Sequence, residues 1–312
     1  MTKVFTWEKG AGFFENPVVA AIGVFDGVHI GHQTLLRDCA RDARARGRAA
    51  VAVTFDRDPD QVVNPEAAGP QLLALEDKCT FLLNAGANHV LVVPFDASVA
   101  SLSPEAFLSD ILLEALTLSS VHVGKDFRFG RYAEGTVSTL ESAGAVHGFD
   151  VQAHELVTAG ESTVTSTRIR ALVAAGDVTA AAALLGRDHR VTGLVVRGRG
   201  IGRRELGIPT ANLLPREHAA LPREGVYAGW ALVGDARHLA ALSVGTPPTF
   251  PDAHDQLEAH ILDLDADVYG ATITVGFRRH LRDQREFGSR RELADAIRHD
   301  IDAVRRATRH AG

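Results

Sequence analysis

The sequence predicts an α/β protein in two parts: a doubly wound domain with a parallel sheet over residues 1–186, then a small antiparallel β-barrel with a C-terminal helix over 187–312. Three observations carry this reading. Up to Gly186, apolar strand-like runs alternate with helical segments, as in a parallel sheet with crossover helices. Beyond Arg190 the texture changes to short β-type runs broken by glycine and proline turns. A glycine-rich stretch from Gly23 to Gln33 follows the first buried run, where open α/β sheets bind ligands.

Taken in order, residues 18–22 form a short apolar run that reads as a buried strand, and Leu35, Leu36, Cys39 and Ala43 follow at helical spacing. Residues 49–55, 89–95, 121–124 and 149–154 read as further strands. Between them, residues 75–84 form a helix ahead of Gly86. Another helix has Ser103 as N-cap, Pro104 at its first position, and Phe107, Ile111 and Leu112 inward. Two short helices, 168–175 and 178–185, are separated by Gly176-Asp177 as C-cap and N-cap and ended by Gly186. The domain boundary falls at 186–190. Residues 191–196, 225–233, 239–244, 257–264 and 271–277 are the barrel strands. Leu293, Ile297, Ile301 and Val304 give the last helix, 290–305, an apolar stripe.

A 312-residue chain with 46% hydrophobic content can bury two moderate cores. It has no apolar run of membrane-spanning length and no signal-peptide h-region, so a cytoplasmic protein without membrane partners is expected. Cys39 and Cys79 lack metal-site or disulfide spacing and are expected to be reduced core thiols. With 33 basic and 39 acidic residues the formal charge is −6, which argues against a nucleic-acid binder. At most weak self-association is expected.

The chemistry concentrates in two stretches. In Gly23-Val-Phe-Asp-Gly-Val-His-Ile-Gly-His-Gln33, Gly27 lets an anion approach the backbone and Gly31 is expected to open the helix, whose free N–H groups attract negative charge. His29 and His32 can both face that anion. Such a pair suits adenylyl or cytidylyl transfer, in which positioned donors stabilise charge growing on an α-phosphate. The same letters also suit a plain turn with two histidines, or half of a metal site. Gly198-Arg-Gly-Ile-Gly-Arg-Arg-Glu-Leu-Gly207 is glycine-rich and basic, as fits either a barrel corner or a phosphate loop.

The first stretch resembles the His-x-Gly-His signature of nucleotidyltransferases, in the form carried by bacterial bifunctional riboflavin kinase/FAD synthetases. Thr165-Ser-Thr-Arg-Ile-Arg170 is similar to the second signature of that superfamily; it also suits a helix start capped by Ser166 or Thr167. Ile208-Pro-Thr-Ala-Asn212 resembles the riboflavin kinase signature, although Thr210 and Asn212 also read as turn residues. Val123-Gly-Lys-Asp-Phe-Arg-Phe-Gly130, Ser243-Val-Gly-Thr246, Leu257-Glu-Ala-His-Ile261 and the Leu281-Arg282 region match in order and spacing.

The resemblance implies ATP-dependent phosphorylation of riboflavin to FMN by the barrel and adenylylation of FMN to FAD by the α/β domain, each with Mg²⁺. In the α/β domain it implies His29, His32 and Arg168 as catalytic residues. Gly23, Phe25, Asp26, Gly27, Gly31, Ser166 and Thr167 would bind nucleotide, and Asp126, Phe127 and Arg128 flavin. In the barrel it implies Glu258 as general base for the riboflavin 5′-hydroxyl, Gly198, Gly200, Arg203 and Gly207 around ATP, and Thr210 and Asn212 on the metal. Tyr227, Phe250 and Phe287 would line the flavin, though each also suits plain core, and Glu258 suits an exposed strand position.

Three departures stand out. Thr54-Phe-Asp-Arg-Asp-Pro59 has Arg57 and Asp58 where the family has proline and histidine. Pro247 replaces an asparagine, and Ile201 a common arginine. The first favours, as an alternative, a riboflavin kinase with a degenerate adenylylating half.

Overall fold

The computed structural model describes residues 3–197, 208–245 and 257–309. The chain divides into two compact units, one formed by residues 1–69 and 75–166 and the other by 70–74 and 167–312.

The first unit is built on six parallel strands in the order β1-β4-β3-β2-β5-β6: β1 Val4–Thr6, β2 Val18–Ile22, β3 Ala50–Phe55, β4 His89–Val93, β5 Leu118–Gly124 and β6 Asp150–His154. Every residue of β2 and β3 is buried, as expected of central parallel strands covered on both faces. The short edge strand β1 was not legible in the sequence; it comprises only three residues with a mostly exposed pattern. The chain runs outward from β2 through β3 and β4 on one side, and through β5 and β6 on the other. The order therefore reverses between β2 and β5, and the crevice beyond their carboxyl ends is the natural ligand site.

Helix α1, Ile30–Ala45, buries Leu35, Leu36, Cys39, Ala40 and Ala43. Ser103 caps the helix beginning at Pro104 by accepting from the backbone N–H of Ala106, and Phe107, Ile111 and Leu112 point inward. Both cysteines are buried, and burial pushes the Cys39 thiol up to about 12. Among the described residues no helix is long and apolar enough to cross a membrane.

In the second unit, Asp177 caps Val178–Leu185 and Gly186 closes it in the left-handed conformation. After the two-stranded sheet of β7 Thr158–Ala159 and β8 Ser162–Thr163, the barrel strands are β9 His189–Val196, β10 Ala211–Pro215, β11 Gly225–Val233, β12 Ala236–Val244, β13 Leu257–Ile261 and β14 Thr272–Arg282. They close an antiparallel barrel in the order β10-β13-β12-β11-β14-β9. Strand β10 went unread because its proline-containing approach looks like a turn. The final helix, Arg290–Arg309, brings Val304 and Ile301 against Ala228, Ala241 and Leu262 of the barrel wall.

His189 opens β9 inside this core, with Nε2 donating to the Ala220 carbonyl at 2.8 Å; burial pulls its pKa down to about 4. The unfolded chain takes up that proton near pH 6.5. The stability involved is therefore fully present above that pH and is lost as pH falls toward 4, by about 3 kcal/mol in all. Urea midpoints of the second unit are expected to drop between pH 7 and pH 4.5, and His189→Gln is expected to flatten that slope.

Candidate active sites

At the end of β2 the chain makes a tight turn with three positive φ angles, Phe25 (54°), Gly27 (77°) and Val28 (38°). Only glycine adopts this region freely, so Phe25 and Val28 cost about 1–3 kcal/mol each and need support. Their side chains are 2% and 1% exposed. Further anchors come from Lys78, whose ammonium donates to the carbonyls of Val24 (3.3 Å) and Phe55 (2.6 Å), and from Ser166, whose hydroxyl donates to the carbonyl of Asp26 (2.8 Å). Burial lowers the pKa of Lys78, while nearby Asp26 opposes the shift. Lys78 was overlooked in the sequence, yet it shares an apolar helical stripe with Leu75, Cys79 and Leu82, an unusual place for a lysine.

The turn delivers His29 to the N-cap of α1, where its Nδ1 accepts the backbone N–H of His32 at 3.3 Å. The helix thus begins at Ile30. Gly31 does not open it, as the sequence suggested, but lies in the first turn, where a Cβ would come within 3.1 Å of the His29 ring. That bond makes Nδ1 of His29 an acceptor and leaves the ring proton on Nε2. The His29 and His32 rings stack at 3.6 Å with an 18° interplanar angle, and Phe25 meets His32 edge-on at 5.1 Å. Burial, then His29 and Lys78, pulls the pKa of His32 well below 6.5, so that ring is neutral at physiological pH. The buried Nδ1 of His32 has no hydrogen-bond partner among the described residues, an energetic cost carried at the site.

Both imidazoles face a cavity of about 450 Å³. Its walls come from the ends of β2 (Gly23, Phe25), β5 (Gly124, Asp126, Phe127) and β6 (His154 to Val157), from α1 (Gly31, His32, Asp38), and from Thr165 and Ser166. Asp26 and Gly27 are buried in the turn beneath. Phe127 stacks on Phe129 at 5.5 Å. Arg128, next to the wall residues Asp126 and Phe127, is exposed and donates to the Phe127 carbonyl. The helix Ser166–Ala174 starts at Ser166 itself, whose hydroxyl serves the turn. Ser166 is therefore not the cap. Thr167 and Arg168 follow within the first turn of that helix and belong to the second unit.

Arg57 and Asp58 are not among the residues that line this cavity. Arg57 pairs with Asp56 at 2.8 Å, and Asp58 accepts the backbone N–H of Asp60 at 3.2 Å. They shape the turn after β3.

In the barrel, Asn212 is registered directly opposite Glu258, and Glu258 opposite Ser243. Their sequence neighbours Ala211, Leu213, Leu242, Val244, Leu257 and Ala259 fill the interior. Alternation therefore puts Asn212, Glu258 and Ser243 in one row on the outer face. Asn212 is nonetheless only 6% exposed. Strand pairing, rather than the turn the letters suggested, holds its amide beside the carboxylate. Gln284, also overlooked, donates to the Ser243 hydroxyl at 2.8 Å, and His260 holds the Pro209 carbonyl just ahead of Thr210 at 2.7 Å.

Phe287 is half-buried, with the guanidinium of Arg285 at 4.8 Å from its ring. Tyr227 is a correction. It is fully buried in the barrel core, edge-on to Phe277, with its hydroxyl given to the Arg223 carbonyl, so it cannot line a ligand pocket. Gly198, Gly200, Arg203, Gly207, Phe250, Ile201 and Pro247 lie outside the described residues.

The model of the FAD synthetase family matches residues 14–168, and that of riboflavin kinase matches residues 185–308. A bifunctional riboflavin kinase/FMN adenylyltransferase of Escherichia coli is 35% identical over 283 residues, covering 90% of each chain. The enzymes of the same name from Pseudomonas fluorescens and Bacillus subtilis are 35% and 31% identical, the former covering 92% and the latter 90% of each chain. A crystal structure from Streptococcus pneumoniae, described as a macrolide-efflux protein, aligns with a TM-score of 0.85 and 28% identity over 97% of this chain and 99% of that one. The efflux in that description is said of that protein alone.

Proposed function

The chain belongs to the bifunctional riboflavin kinase/FMN adenylyltransferase family and carries out both reactions, and from that premise we propose which of its residues serve each one. The functional division falls near 186, with 1–186 forming FAD and 187–312 forming FMN.

For adenylylation, the reading rests on one observation: two stacked histidines, one with an orphaned buried nitrogen, stand at the mouth of a helix N-terminus and face a cavity. An FMN phosphate oxygen attacks the α-phosphate of ATP in line, and the bond to the bridging oxygen breaks. Charge moves onto the α-phosphate oxygens and the departing pyrophosphate. The His29 Nε2–H and the His32 ring donate to the first, and the backbone N–H of Ser166, at the start of its helix, receives the second. Gly23, Gly27 and Gly31 keep side chains out of the phosphates' way, while Asp126 and Phe127 meet the flavin.

For phosphorylation, Glu258 accepts the proton of the riboflavin 5′-hydroxyl as that oxygen attacks the γ-phosphate. Thr210 and Asn212 offer a hydroxyl and an amide oxygen, hard donors that suit Mg²⁺ when phosphates and water complete the shell. Bound there, Mg²⁺ would screen the phosphate charge. Thr210→Ala and Asn212→Ala are expected to raise the Mg²⁺ concentration for half-maximal FMN formation about tenfold or more, leaving that for FAD formation from FMN unchanged. Equal shifts in both reactions would remove these two residues from the metal. ATP and flavins as substrates suit a cytoplasmic enzyme.

A further inference from the structure

The cavity extends beyond the histidines. Asp38 lies six residues after His32 on α1, about 9 Å along the axis at 1.5 Å per residue. There it meets His154 at the end of β6, and both line the wall. The distance from Asp38 Oδ2 to His154 Nδ1 is 3.6 Å, too long for a direct hydrogen bond.

The hydrogen bonds behind them fix what these two atoms present. The carboxylate of Asp42 only accepts, so His122, 3% exposed, donates its Nε2–H to Asp42 Oδ2 at 3.2 Å. His122 Nδ1 then accepts from His154 Nε2 at 2.9 Å. The His154 proton is thereby committed inward, and its Nδ1 turns a lone pair toward Asp38. Burial, then His122, holds the pKa of His154 below 6.5 against the opposing pull of Asp38, so the ring stays unprotonated at neutral pH. Arg41 occupies the other Asp38 oxygen, Oδ1, at 3.1 Å. Two acceptors therefore stand side by side on the cavity wall, where one donor in the cavity can reach both.

We propose that Asp38 and His154 read the nucleobase: an exocyclic amine, as on adenine, bridges the two acceptors, whereas a carbonyl at that position, as on hypoxanthine, meets two lone pairs and is rejected. This rests on the reading of the cavity as the adenylylating site, whose phosphate end lies at His29 and His32. The separation along α1 matches the reach from an α-phosphate to its base.

The test compares kcat/KM for nucleotidyl transfer to FMN from ATP and from inosine triphosphate, in the unmodified protein, Asp38→Ala and Asp38→Lys. Asp38 is partly exposed and lies off the buried stripe of α1, so both variants are expected to fold, as circular dichroism will verify. The unmodified protein should prefer ATP strongly. Asp38→Ala should lower the ATP/ITP preference about 10- to 100-fold, mostly through ATP, because the partner of one charge-assisted hydrogen bond is gone. Asp38→Lys supplies a donor and should raise use of ITP. An unchanged preference in both variants overturns the base-reading role and leaves adenylylation standing. No FAD from the unmodified protein defeats the adenylylation reading and this proposal with it.

Discussion

His29→Ala is expected to lower the rate of FAD formation from FMN by about 100- to 1,000-fold, the usual cost of one preorganised donor at a developing oxyanion, while riboflavin phosphorylation proceeds unchanged. The histidine has two jobs. Its Nδ1 caps α1 by accepting from the backbone of His32, and the proton this leaves on Nε2 is the one offered to phosphate. His29→Asn separates them, because asparagine is a good N-cap but has no imidazole. Equal losses in His29→Ala and His29→Asn would assign the effect to chemistry, and near-complete rescue by asparagine would assign it to the cap. Because the two rings stack at 3.6 Å, the double variant with His32→Ala should cost less than the product of the single losses. A fully multiplicative double variant would contradict a shared site.

Glu258→Gln should lower riboflavin phosphorylation by about 100- to 10,000-fold, the range expected for a general base, and leave adenylylation of supplied FMN intact. Glutamine keeps the shape and hydrogen-bonding reach beside Asn212 and Ser243, so the loss would reflect the carboxylate's capacity to take a proton. The loss should appear in kcat with little change in the KM for riboflavin. A variant that retains most of its turnover would show that the 5′-hydroxyl loses its proton elsewhere.

The architecture was largely legible because hydrophobic period is a local signal. Residues 18–22 and 49–55 read as buried strands because their runs are apolar without alternation, and the helix at 75–84 because its stripe recurs every three to four residues. What escaped depended on distant partners. Strand β10 exists because β9 and β13 pair with both its edges, and the letters Pro-Thr-Ala-Asn carry no trace of that. Tyr227 resembled a pocket aromatic, since an amphipathic ring suits core and ligand wall alike; only the surrounding strands decide.

Site residues divide the same way. His29, His32 and Ser166 announce themselves in contiguous motifs. Asp38 and His154 lie far apart in sequence, and nothing in either neighbourhood says that a sheet edge and a helix will bring them to one wall. Arg57 and Asp58 raised doubt about the adenylylating half. Their side chains are engaged in the turn after β3, and neither is part of the cavity wall.

The most direct test of two separately housed reactions is a time course with riboflavin, ATP and Mg²⁺, resolving riboflavin, FMN and FAD by chromatography for the unmodified protein, His29→Ala and Glu258→Gln. The unmodified protein should pass through FMN to FAD, His29→Ala should stop at FMN, and Glu258→Gln should make FAD only when FMN is supplied. If the unmodified protein stopped at FMN, or if either variant lost both steps while folded, the division of labour described here would be contradicted.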